Sequence, residues 1–106
     1  MAWLTLFVAG LLEMAWALFL KQSDGLTRVV PTIGFVVTLA LSMFLLAVAL
    51  KTLPVGSAYA VWTGIGAAGT AIVGMLWLGE SRDPLKIVSL LMLIAGLIGL
   101  RITSGE

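Results

Sequence analysis

A chain of 106 residues that is 61% hydrophobic and 10% charged, with a net charge of +1, carries more apolar surface than a soluble core of its size can hide. Cysteine and histidine are both absent, which excludes disulfide frameworks, thiolate metal sites and imidazole acid–base chemistry. The near-neutral balance points to neither a nucleic-acid partner nor an acidic one.

The few charged residues punctuate apolar runs, each long enough to cross roughly 30 Å of hydrocarbon. The first run spans 2–20 and ends at Lys21-Gln22-Ser23-Asp24-Gly25, where Gly25 is expected to terminate a helix. It has no basic leader and no small-residue cleavage site, and an acid stands in its middle, so it reads as a retained membrane helix. The second run spans 31–50, with Pro31 in a first turn where a missing N–H is tolerated and Lys51 closing it at the interface. The third spans 54–79. The fourth spans 84–103, with Asp83 placed as its N-cap and Arg101 near its C-terminal end, both favourable to the helix dipole.

This pattern predicts an all-α integral membrane protein, a single four-helix transmembrane domain over 1–106. Connections of about three to ten residues make sequential helices antiparallel and leave no room for a soluble domain. Lys21, Arg28, Arg82 and Lys86 flank one membrane face, and Lys51 and Arg101 the other. That small bias places both termini outside. A chain so indifferent to orientation is expected to insert both ways, which lets two copies associate antiparallel and recreate the inverted repeat of larger transporters.

Glu13 is the residue that membrane packing explains least. It lies about eleven residues into the first helix, roughly 16 Å deep and at the bilayer midplane. A carboxyl group at that depth is costly unless it faces protein, a partner or water, so it marks a functional position; the competing reading is a protonated acid making one interhelical hydrogen bond. Ser42, about eleven residues in from the other side, comes out at the same level and is expected to hydrogen-bond Glu13. Trp16 follows Glu13 by three residues, and Tyr59 and Trp62 share a face of the third helix. An acid lined by two indoles and a phenol suits a delocalised cation, which gains charge-assisted hydrogen bonds at its edge and cation–π contact at its face. Packing alone is the competing reading for each aromatic. Trp3 and Trp77 read as interfacial anchors. Gly64 and Gly66 fall near the middle of the third run, either as a conformational hinge or as packing seats. Ala95, Gly96 and Gly99 give the fourth run a small-residue face for helix association, expected to lie between chains.

The segments GLLEMAWALFLK, SDGLTRVVPT, LPVGSAYAVWTGIGAAG and AGLIGLR make the chain resemble the small multidrug resistance family along its whole length. Trp16 after Glu13, Lys51 before TLP, and WTGIGA favour its guanidinium-exporter subtype over the quaternary-ammonium multidrug subtype. The resemblance implies an antiparallel, dual-topology homodimer in the bacterial cell inner membrane, exporting guanidinium or a related small cation in exchange for protons, with no cofactor. It implies that Glu13 from both subunits forms one shared site, with Gly10, Trp16, Ser42, Tyr59 and Trp62 as its surrounding shell. Arg101 stands where relatives are expected to carry Lys.

Two Glu13 carboxylates in one cavity would titrate as a pair, and a planar guanidinium competes with protons for both. If only loaded or protonated states switch access, proton entry drives cation exit. A broader quaternary-ammonium or drug exporter needs the same acid and aromatics, and a non-transporting assembly subunit of a larger membrane complex, or pairing with a second chain of the family, fits the same four-helix pattern. An enzyme is not expected, since no nucleophile–base pair, metal constellation or phosphate loop is present.

Overall fold

The computed structural model describes residues 2–103. Among them are four helices long and apolar enough to cross a membrane: α1 (Ala2–Gln22), α2 (Val29–Ala49), α3 (Val55–Trp77) and α4 (Pro84–Thr103). Where each begins and stops follows from local chemistry.

α1 ends at Ser23, a fully buried residue whose hydroxyl donates to the Leu20 carbonyl at 2.7 Å and accepts the Leu26 N–H at 3.0 Å. Asp24, Gly25 and Leu26 then take positive φ values of 50°, 73° and 70°. Gly25 thus lies inside a left-handed turn after the helix has already stopped, one step beyond the terminator role its position suggests. α2 starts at Val29, so Pro31 is its third residue and still within the first turn, whose N–H groups have no helical partner.

α3 is preceded by Pro54 in an extended conformation and runs unbroken through Gly64-Ile65-Gly66. It stops at Trp77, short of Gly79. The Gly74 carbonyl accepts both the Leu78 N–H at 3.2 Å and the Glu80 N–H at 3.1 Å, and Gly79 supplies the left-handed φ of +72° that such a reversal requires. Asp83 caps α4, its Oδ1 accepting the Leu85 N–H at 2.8 Å.

The helices lie side by side in the order α2, α1, α3, α4, with α1 packed on α2 and α3, and α4 packed chiefly on α3. The result is a slab of 42 × 35 × 17 Å. Its tightest part is the α1–α2–α3 contact, where Leu6, Ala9, Leu46, Ala49, Ala58 and Trp62 form a buried cluster. α4 buries none of its residues. A Cβ added at Gly96 or Gly99 would meet nothing within 4 Å, and Ala95 is exposed. The small-residue face of α4 is therefore uncovered in the single chain.

Candidate functional site

Glu13 faces α3, where Gly66 makes room for it. A Cβ at position 66 would meet Glu13 Cγ at 2.7 Å and would lie closer still to Glu13 Oε1. The absence of a side chain at residue 66 is thus what allows an acid to sit between two tightly packed helices. Gly64 and Gly69 act in the same way for Leu97 and Met14. Glycines placed in α3 as a hinge or as packing seats serve the second role in this conformation.

A groove of about 410 Å³ opens from Glu13 along α1 and α3. Trp16 and Ala17 line it from α1. Thr63, Gly66, Ala67, Thr70 and Ala71 line it from α3, and Glu80 and Lys86 stand at its far end. Glu13 Oε1 and the Trp16 indole nitrogen are both buried without a hydrogen-bond partner among the described residues. Trp16 is held edge-on to Phe35, with ring centroids 5.8 Å apart at 71°. An unpaired buried acceptor and an unpaired buried donor one turn apart on α1 cost roughly 1–3 kcal/mol each. Such a cost persists where the group meets something besides its own chain.

The other sequence-predicted residues form a second cluster, one turn away. Ser42 is fully buried, and its hydroxyl donates to the Ala9 carbonyl at 2.7 Å while accepting the Trp62 indole N–H at 2.9 Å. The expected bond from Ser42 to the Glu13 carboxylate is therefore not made. Ser42 lies 13 residues past the start of α2 at Val29, which in an antiparallel pair sets it level with Ala9, 13 residues before the end of α1 at Gln22, and four residues from Glu13. Trp62 is only 6% exposed, whereas Tyr59 is 56% exposed and packs its ring on Trp62 at 5.6 Å. Neither ring lines the Glu13 groove. Gly10 is buried beneath Ile65, whose Cγ2 would lie 2.6 Å from a Cβ there.

The structure thus gathers Glu13, Trp16 and Gly66 at one groove and Ser42, Trp62 and Tyr59 at a neighbouring cluster. Thr63, Thr70, Glu80 and Lys86 were missed by sequence reasoning. For the threonines a signal existed: Thr63, Gly66, Ala67, Thr70 and Ala71 recur at three- and four-residue spacing, a small and polar stripe along one face of α3.

A larger cavity, about 520 Å³, lies between α1, α3 and α4 and is walled mainly by apolar side chains such as Phe7, Leu11, Ile65 and Leu97. At its edge the Arg101 guanidinium sits 4.9 Å from the centroid of the Trp3 ring, tying α4 to α1 through a cation–π contact.

Residues 1–94 match the family model described as Small Multidrug Resistance protein. Among curated relatives, the chain is 56% identical to a guanidinium exporter of Yersinia pseudotuberculosis, over 98% of this chain and 100% of the relative. It is 51% identical to a guanidinium exporter of Salmonella typhimurium and 50% identical to one of Citrobacter freundii, each over 98% of this chain and 99% of the relative.

Proposed function

The chain belongs to the small multidrug resistance family of multi-pass membrane transporters, and from that premise we propose that it exports guanidinium and small guanidinyl compounds across the bacterial inner membrane in exchange for protons. The observation that carries this reading is Glu13, whose Oε1 is buried and unpartnered in a groove at mid-depth of α1.

A guanidinium ion offers planar pairs of N–H donors that match a carboxylate bidentately. A proton titrates the same oxygens. Cation and proton therefore exclude each other at Glu13, and a protein that changes access only when the acid is neutralised by one or the other exchanges them across the membrane. Trp16 brings its indole to the same groove, where its face suits a delocalised cation and its N–H can steady the carboxylate.

In this reading the working unit is an antiparallel homodimer in which two Glu13 side chains share one site. The thin slab and the bare face of α4, with Ala95, Gly96 and Gly99 open, support association through small residues. The weak Lys/Arg asymmetry supports insertion in both orientations. Gly10, Ser42, Tyr59 and Trp62 form the shell that positions α1 against α2 and α3, and Gly64 and Gly66 are where α3 bends as access alternates.

The test is proton release from detergent-solubilised protein on addition of guanidinium, compared with a tetraalkylammonium ion. Release by guanidinium alone is expected, vanishing as the starting pH rises and the site no longer holds protons to release, and needing more guanidinium as the pH falls because protons compete for the same oxygens. Release by both ions would move the reading to the broader multidrug exporter, and release by neither would overturn transport through Glu13.

A further inference from the structure

The groove that begins at Glu13 ends at a second carboxylate. Glu80 lies in the α3–α4 connection (residues 78–83), yet it lines the same cavity as Glu13, Thr63 and Thr70. Its placement is built. Gly79 reverses the chain with φ +72°, the Glu80 N–H donates to the Gly74 carbonyl at 3.1 Å, and the carboxyl group folds back over Gly74, where a Cβ would meet Glu80 Oε1 at 2.5 Å. Arg82 fixes the other side of the turn, its Nε donating to the Met75 carbonyl at 2.9 Å.

Among the described residues, Lys86 is the cation paired with Glu80. Lys86 Nζ stands 3.4 Å from Glu80 Oε1, and the two side chains are 36% and 52% exposed. Ion pairs at such exposure are weak because water competes for both partners. A Lys ammonium is also a point donor, whereas guanidinium engages both carboxylate oxygens at once. An arriving guanidinium can therefore displace Lys86 from Glu80 at little cost.

We propose that Glu80 is an outer cation subsite, closed in the resting groove by Lys86, where a guanidinium ion docks before it moves along the Thr63–Thr70 face of α3 to Glu13. The subsite rests on the export reading above. It adds an assignment to a residue outside the membrane-spanning helices, and Lys86 sets the affinity by competing for the same oxygens.

The experiment is guanidinium transport by protein in liposomes, measured across substrate concentration and ionic strength for wild type, Glu80→Gln, Lys86→Gln and Asp83→Asn. Asp83→Asn removes one negative charge from the same connection but lies outside the groove, and asparagine still caps α4. Glu80→Gln is expected to raise KM by about fivefold and to flatten the salt dependence, as loss of an exposed charge contact predicts. Lys86→Gln is expected to lower KM by about twofold to threefold. Asp83→Asn leaves KM as in wild type. An unchanged KM in Glu80→Gln, or equal shifts in Glu80→Gln and Asp83→Asn, overturns the subsite while wild-type transport leaves the export reading standing. A wild-type protein that does not move guanidinium takes both down.

Discussion

Two polar clusters flank α1 within one turn of each other, and they are satisfied to opposite degrees. At the level of Ala9, Ser42 uses both its donor and its acceptor, and the Trp62 N–H is paired. At the level of Glu13, the carboxylate Oε1 and the Trp16 N–H are buried without partners among the described residues. In hydrocarbon an unpaired polar group is expensive, so helices that only need to hold together pair theirs. The first cluster is how the bundle is fastened. The second leaves hydrogen-bonding capacity for something that comes and goes.

The hardest way to break this contrast is to remove the charge at Glu13. Glu13→Gln keeps the shape of the side chain and the packing against Gly66, so the protein is expected to remain folded while guanidinium transport falls to the level of protein-free liposomes and ligand-driven proton release disappears. A Glu13→Gln variant that still releases protons on adding guanidinium would move the proton site elsewhere.

Next in size is the seat beneath the acid. Gly66→Ala places a methyl group where the Glu13 carboxyl lies, and overpacking of this kind costs about 1–3 kcal/mol, roughly a fivefold to 150-fold change in occupancy of the productive geometry. Transport is expected to drop to about a fifth or less. Gly56→Ala, in the first turn of α3 with nothing within 4 Å of the added methyl, gives no such clash with Glu13 and provides the control. Equal loss in both variants would show that the α3 glycines act through the helix backbone rather than through the acid.

How much of this was legible in the sequence divides along the same line. Helix positions, the mid-depth acid and the indole beside it follow from hydropathy and a rise of about 1.5 Å per residue, quantities that belong to one helix at a time. The partner of Ser42 depends on the register between helices: counted from the turn that α1 and α2 share, Ser42 falls level with Ala9 and not with Glu13, which depth counted from opposite membrane faces does not reveal. The reach of Glu80 into the groove depends on where α3 stops. Hydropathy carried the run to Gly79, but the shared Gly74 carbonyl and the left-handed Gly79 turn the chain after Trp77 and bring Glu80 back over α3. Such end effects are set by a few hydrogen bonds that composition does not register.

The fastening cluster is tested by Ser42→Ala, which strands the Trp62 N–H and removes one acceptor contact at Ala9. Interhelical hydrogen bonds in membranes contribute about 0.6 kcal/mol on average and up to about 1.7, so a loss near the upper end is expected for a serine that serves two partners. Denaturant titration in detergent micelles reads it. A stability loss indistinguishable from zero would mean that this hydroxyl does not fasten α2 to α1.

The smallest effect is the sharpest comparison. Trp16→Phe and Trp62→Phe make the same chemical change, deleting an indole N–H and part of a ring, at two buried indole nitrogens less than two turns apart in depth. If the two clusters differ as described, Trp62→Phe loses a made hydrogen bond and costs about 0.6–1.7 kcal/mol beyond the lost ring area. Trp16→Phe removes a donor that was unpaired, so its stability cost is the ring area alone, offset by relief of an unsatisfied group. The difference between the two variants in the same titration isolates the N–H. Equal costs would mean that the Trp16 N–H is paired in the working protein, and the natural candidate for its acceptor is then the Glu13 carboxylate itself. That pairing would be exposed by repeating Trp16→Phe on a Glu13→Gln background and asking whether the two losses still add.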